Sequence, residues 1–331
     1  MSESQARNAV DTLRISITDR CNLRCTYCMP PQGVTLIPPE EILRYEEIVR
    51  IVRACTRLGV RKLRITGGEP LVRRGVVELT DSLSRVDGVE DLCMTTNGVL
   101  LEGFVGALKR AGLGRVTVSV DSLQRRRYEQ ITGSDCLGKV LAGVKAALDG
   151  GLSPVKINVV LMRGVNDDEV EDFARLSLSL PLEVRFIERM PVGAPDGSKG
   201  CGDWSRERVS ADEVLEKIHR AFGPLEPADP VVSVPGPARL YRLPSGNGRV
   251  GVISAVTRPF CSSCTRIRLT PDGGLRNCLF REESVDLKKL LRSGISDEEL
   301  LSVLSKAVAL KPRSTMAPFE AMRKSMCQIG G

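Results

Sequence analysis

Six short β-rich runs alternate with helical patterns through roughly the first 190 residues, and this alternation limits the possible folds more than any other feature. The runs are Leu13–Thr18, Lys62–Thr66, Asp91–Thr96, Arg115–Val120, Val155–Leu161 and Glu183–Glu188. Between them lie helical stretches such as Glu40–Leu58, Leu101–Ala111, Leu137–Leu148 and Asp168–Leu178. Strands and helices in strict series build a parallel sheet with right-handed crossovers. Six units suit an incomplete (β/α) barrel or a doubly wound sheet, and pattern alone does not separate the two. In both, ligands bind beyond the carboxyl ends of the strands.

The unusual residues fall at that rim. The first strand runs into Cys21-x3-Cys25-x2-Cys28, and the second into Thr66-Gly-Gly-Glu-Pro70. The third ends in Thr95-Thr-Asn-Gly98, the fourth in Val118-Ser-Val-Asp121, and the sixth leads to Arg189-Met190. Three cysteines at such spacing can place three thiolates around a [4Fe–4S] cubane, whose full ligation takes four. The fourth iron is then open to a small molecule. Structural zinc, the rival reading, needs a closed set of four ligands, and no fourth Cys, His or acid follows at a usual spacing. Thr66–Pro70 could be only a strand-to-helix turn, although its glycines also allow close backbone approach of a ligand.

A second triplet, Cys261-x2-Cys264-x13-Cys278, follows a predicted hairpin around Ser245-Gly-Asn-Gly248. Spacing alone leaves a zinc knuckle with a borrowed ligand and a second cluster equally open. The other cysteines, Cys55, Cys93, Cys136, Cys201 and Cys327, lack cluster spacing, and small apolar packing is their default. Cys327 lies four residues from the chain end, where a stray ligand role is conceivable but packing is the default reading.

Composition narrows the function classes. Eleven cysteines without a secretory leader predict a reducing, cytoplasmic setting. No apolar run approaches membrane-spanning length. The single histidine, His219, rules out a Ser-His-Asp triad and any multi-histidine metal site; it sits in a predicted helix with a Ser210/Glu213 capping box. The net charge is +7, with no dense Lys/Arg block, which favours a small anionic partner over nucleic acid.

Taken together, these motifs resemble the radical S-adenosylmethionine (SAM) superfamily, and within it the GTP 3′,8-cyclases of molybdenum cofactor biosynthesis. The closer likeness rests on Arg14-x-Ser-x-Thr-Asp-x-Cys21, Arg64-Ile-Thr-Gly-Gly-Glu-Pro70, Thr95-Thr-Asn-Gly98 and Arg185-Phe-Ile-Glu-Arg-Met190. It also rests on Cys264-x-Arg266-x-Arg268-x-Thr270, Cys278 and the terminal Gly330-Gly331.

The resemblance implies an α/β fold, with an incomplete (β/α)6 TIM-type barrel over residues 1–195. A smaller C-terminal α+β domain, residues 196–331, would carry an auxiliary cluster and the Gly-Gly tail. It implies [4Fe–4S] clusters on Cys21, Cys25 and Cys28 and on Cys261, Cys264 and Cys278. SAM would be held by Tyr27, Gly68, Ser119 and Met190. GTP would be held by Arg14, Arg64, Thr95, Lys156 and the stretch Arg266-Ile267-Arg268. Alternation along a strand puts Arg266 and Arg268 on one face and Ile267 on the other. Gly330 and Gly331 would reach the active site and be needed for activity. The implied partners are an external one-electron donor, cyclic pyranopterin monophosphate synthase as the next enzyme, and a second copy of the chain; no membrane or nucleic acid is implied. Two rivals remain at this point: another radical SAM maturase with an auxiliary cluster, and a zinc-bearing nucleic-acid binder.

Overall fold

The computed structural model of the protein describes residues 10–29, 32–190, 206–229, 236–281, 284–312 and 325–330. The six expected strands are present as β1 (Thr12–Ser16), β2 (Lys62–Thr66), β3 (Asp91–Thr96), β4 (Arg115–Ser119), β5 (Val155–Leu161) and β6 (Leu182–Glu188). Each pairs in parallel with the next, from β1 through β6. This order never reverses, so the sheet is wound in one direction only. That excludes the doubly wound arrangement, which turns back at a switch point.

Six helices make the crossovers: α1 (Tyr45–Arg57), α2 (Val76–Ser84), α3 (Leu101–Arg110), α4 (Arg125–Thr132), α5 (Leu137–Asp149) and α6 (Val170–Ser179). The helix expected over Glu40–Leu58 begins later. Pro39–Glu41 forms a separate 3-10 turn ended by extended Ile42. Arg44 then caps α1, its backbone N–H donating to Glu47 Oε2 at 2.7 Å. Hydrophobic residues on alternate strand positions, such as Leu13, Ile15, Leu63 and Ile65, are fully buried and pack with Ile48, Ile51 and Leu79 of the helices. The intervening strand positions are polar and face the other way, into the barrel.

The remaining chain extends the same sheet at both edges. Residues 206–312 contribute α7 (Ala211–Phe222), β7 (Glu226–Pro227), β8 (Arg239–Arg242), β9 (Arg249–Ile253), β10 (Arg266–Leu269), β11 (Gly274–Arg276) and β12 (Val285–Asp286). After these come α8 (Leu287–Arg292) and α9 (Asp297–Ala309). The expected hairpin is the antiparallel β8–β9 pair, and β9 adds in parallel to β6. At the opposite edge β10 adds in parallel to β1. Helix α7 starts on the expected capping box, Ser210 with Glu213, and α9 starts on a second one, Ser296 with Glu299. The last described element, α10 (Met326–Ile329), is capped by Ser325 and packs against Met190, Leu279 and Phe280.

Candidate active site

One cavity of about 520 Å³ runs through the barrel. Cys21, Cys25 and Cys28 line it, as do Cys261, Cys264 and Cys278. The GTP and SAM contacts expected from sequence also line it, apart from Ile267 and the terminal glycines. The Ile267 side chain is fully buried in the main apolar core, on the opposite face of β10 from its arginine neighbours. Gly331 lies outside the described residues.

At one end, the cysteine loop is built against the Gly-Gly-Glu-Pro turn. Gly67 and Gly68 donate nothing from a side chain, and none would fit. A Cβ on Gly68 would sit 2.4 Å from the Arg20 carbonyl oxygen, and one on Gly67 2.7 Å from that of Thr18. The Gly68 N–H donates to Thr18 O at 2.7 Å and the Glu69 N–H to Arg20 O at 2.8 Å. Glu69 is wholly buried and accepts from Thr96 Oγ1 at 2.7 Å and Asn97 N at 2.6 Å. Burial raises its carboxyl to about 7, against the pull of these hydrogen bonds. Asn97 in turn donates to Asn22 Oδ1 at 2.7 Å and lies 3.8 Å from Cys21 Sγ. Three motifs that looked separate in the sequence are thus one hydrogen-bonded unit.

Tyr27 donates its hydroxyl to Asp121 Oδ2 at 2.7 Å, and Val160 N–H donates to Asp121 Oδ1 at 2.8 Å. This ties the cysteine loop to β5 through the end of β4. Burial raises Asp121 to about 6. Ser119 and Met190 line the same end of the barrel strands, and Met190 touches the α10 cluster.

The donor sets suit iron–sulfur clusters. Thiols are soft ligands that select such metals, and each end of the cavity supplies three. Among the described residues no group of three Cys, His, Asp or Glu side chains is placed to share one ion; a cubane instead takes its thiolates at separate irons. Burial pushes the Cys21 thiol up to about 11. Cys264 goes the opposite way. Burial raises it, but the charges of Arg266 and Lys311 outweigh that and bring it down to about 7.

Between the two cysteine sets the barrel wall is cationic. Strand register places Arg14 beside Arg268 on one side and Arg64 on the other. Arg64 donates to the hydroxyls of Thr95 at 3.0 Å and Thr117 at 3.1 Å. Arg268 Nη1 donates to the carbonyl of Gly330 at 2.6 Å. Both guanidinium groups are therefore answered by neutral oxygen atoms. Burial, then the charge of Arg266, lowers Arg268 to about 9. Burial, then Arg185, lowers Lys156 to about 7. Glu183 lies 3.5 Å from Lys156 and pairs with Arg185.

Several lining residues were given no role from sequence: Arg115, Thr117 and Asn158, and also Arg185, which entered only as the first residue of a matched motif. A signal for them existed. Strands of a parallel sheet covered on both faces read as continuous apolar runs. Here polar residues interrupt them at every second position, as in Arg115-x-Thr117-x-Ser119 and Lys156-x-Asn158.

Comparison with known proteins agrees with this geometry. Residues 15–177 match the model of the radical SAM superfamily, and residues 182–317 match that of Molybdenum Cofactor Synthesis C. The chain is 47% identical over 324 residues to the GTP 3′,8-cyclase of Pelotomaculum thermopropionicum, covering 97% of this chain and 98% of that protein. It is 46% identical over 333 residues to the GTP 3′,8-cyclase of Thermodesulfovibrio yellowstonii, covering 100% of each. Among solved structures, Streptococcus suis SuiB bound to S-adenosylmethionine superposes with a TM-score of 0.59 at 13% identity. That match covers 90% of this chain and 68% of SuiB, and it shows a shared fold.

Proposed function

The chain belongs to the GTP 3′,8-cyclase family of the radical SAM superfamily, and on that premise we propose how its residues divide the work. The reaction cyclises GTP to (8S)-3′,8-cyclo-7,8-dihydroguanosine 5′-triphosphate, the first step of molybdenum cofactor biosynthesis. When bound, a [4Fe–4S] cluster and SAM supply one-electron cleavage of a sulfonium bond and removal of a hydrogen atom from substrate.

Cys21, Cys25 and Cys28 hold the first cluster. Gly68 lets the turn close on the cysteine loop, and Tyr27, fixed by Asp121, shapes the SAM site with Ser119 and Met190. Cys261, Cys264 and Cys278 would hold a second cluster, at the end of the cavity that would receive the guanine base. Arg14, Arg64, Lys156, Arg266 and Arg268 take the triphosphate, with Thr95 orienting Arg64 and the Ile267 backbone continuing the contact. Residues 1–195 form the SAM-binding part and 196–331 the part that binds the auxiliary cluster. Electrons come from an external donor, and the product passes to cyclic pyranopterin monophosphate synthase. We further expect a homodimer and a cytoplasmic enzyme; among the described residues no helix is long and apolar enough to cross a membrane.

The observation that carries this reading is the cationic wall between the two thiol sets. Burying a charge is costly unless an opposite charge answers it. Arg268 is buried and Arg64 partly buried, each against neutral oxygens, so a polyanion in the cavity is what would balance them. A planar guanidinium pairs well with phosphate oxygens.

The test compares two variants of anaerobically reconstituted protein. Cys25→Ser should abolish cleavage of SAM. Cys264→Ala should still cleave some SAM while making no cyclised nucleotide. Normal cyclisation by Cys264→Ala would refute the assignment of the second triplet to the substrate.

A further inference from the structure

The mechanism above leaves one buried nucleophile unused. Cys327 is 2% exposed and lines the cavity together with Cys21, Cys25 and Cys28. Its thiol and that of Cys28 lie near enough to act on each other's ionisation. Its helix neighbours Met326 and Ile329 pack on Met190, Leu279 and Phe280, whereas among the described residues Cys327 is in neither apolar cluster.

The tail is also fixed in a way that holds this sulfur in place. Gly330 is in a left-handed conformation at φ +77°, and a Cβ there would lie 2.8 Å from Ser16 Cβ and 3.0 Å from Thr66 Cγ2. Its carbonyl is held by Arg268 at 2.6 Å. At the other end Ser325 and Gln328 form a capping box, and Gln328 Nε2 reaches Thr35 O at 3.4 Å. The sulfur thus lies between two anchors, beside a loop that offers three thiolates to a cluster able to take four.

We propose that Cys327 is a fourth thiolate ligand of the first cluster in the SAM-free enzyme, and that SAM displaces it. The exchange involves no electron transfer. The iron–sulfur bond to Cys327 breaks, bonds from the same iron to the amino and carboxylate groups of SAM form, and the released thiolate takes a proton from solvent. The otherwise open iron is then covered until SAM arrives. This rests on the reading that Cys21, Cys25 and Cys28 hold a cluster.

The experiment uses full-length, anaerobically reconstituted protein without reductant, as wild type, Cys327→Ala and Cys327→Ser. SAM affinity is measured by equilibrium dialysis. A ligand that must be displaced lowers apparent affinity by the ratio in which it occupies the site, so removing it should tighten SAM binding, by about tenfold for a ten-to-one occupancy. Mild ferricyanide oxidation of the SAM-free proteins is followed by electron paramagnetic resonance. An iron without a cysteine ligand is lost readily, so both variants should give a larger [3Fe–4S] signal than wild type. The second cluster contributes equally to all three and cancels in the difference. Cys327→Ser keeps the side-chain size and hence the tail's seat; if it matches wild type in both measurements, the proposal is overturned. Iron content and SAM binding in the wild type check the underlying cluster reading separately; their absence would refute that reading rather than the ligand role.

Discussion

Arg268 Nη1 donates to the carbonyl of Gly330 at 2.6 Å, so an arginine of the cavity wall and the end of the chain meet inside the barrel. Chain ends are usually free and tolerant of change; this one is held. Deleting Gly330-Gly331 should leave the fold, cluster content and GTP binding largely intact yet strongly reduce cyclised product. Gly330→Ala should act in the same direction, because its Cβ would meet Ser16 and Thr66. Product is measured as 5′-deoxyadenosine and cyclised nucleotide. Full activity in the truncated protein would show the tail to be incidental.

Arg266→Ala and Arg268→Ala should each weaken GTP binding. A charge-assisted contact contributes roughly 1.5–3 kcal/mol, or about ten- to a hundred-fold in affinity. Lysine should restore binding only in part, because it lacks the planar fork. The two positions differ in setting: Arg266 stacks over Phe260 at 4.7 Å, while Arg268 is buried. Wild-type affinity in both alanine variants would remove them from the phosphate site.

Lys156 gives a pH signature. Burial and then the charge of Arg185 lower it to about 7 from its usual 10.5. Above that pH the free enzyme holds it neutral, whereas a triphosphate favours the ammonium. GTP binding at pH 8 should therefore take up a proton at Lys156, and affinity should fall as pH rises from 7 to 9. In the folded, ligand-free protein the sign for stability is the reverse. A depressed lysine costs stability where it is forced to be charged, so its penalty shrinks as pH rises through 7. Calorimetry in buffers of different ionisation enthalpy reads the proton uptake, and Lys156→Met should abolish that part of it. Equal uptake in the variant would assign the proton to another group.

Gly68→Ala tests the joint between the cysteine loop and the Gly-Gly-Glu-Pro turn. The new Cβ would lie 2.4 Å from a backbone oxygen, so the loop must shift. Such overpacking costs about 1–3 kcal/mol, read as a lower denaturant midpoint of the cluster-free protein. Gly103→Ala is the contrasting case, since nothing lies within 4 Å of its Cβ and it sits on the exposed face of α3. It should stabilise by about 0.5–1 kcal/mol. An unchanged midpoint for Gly68→Ala would contradict the close packing.

Much of this was legible before the structure. The six strands announced themselves by β-rich runs, and α7 by its capping box. The short helix α4, Arg125–Thr132, was harder: it buries only Tyr128, Ile131 and Thr132, and its first turn reads as a charge run. The parallel placement of β10 beside β1 and β9 beside β6 leaves no mark in local sequence, because those pairings join distant segments. The cluster cysteines were legible by spacing. The cationic wall was legible only in part, since Arg115 carries no motif, Arg185 stood in a matched motif without a role of its own, and both join the site through strand register. Cys327 was invisible as a neighbour of Cys28 for the same reason: nothing in the 298 intervening positions encodes that proximity locally.

The most direct test of the account follows a hydrogen atom. Reconstituted, reduced enzyme is given SAM and GTP deuterated at ribose C3′, and the 5′-deoxyadenosine is analysed by mass spectrometry. The account predicts deuterium in the 5′-deoxyadenosine and its loss from the cyclised nucleotide. Unlabelled 5′-deoxyadenosine, formed alongside cyclised product that retains deuterium, would contradict it.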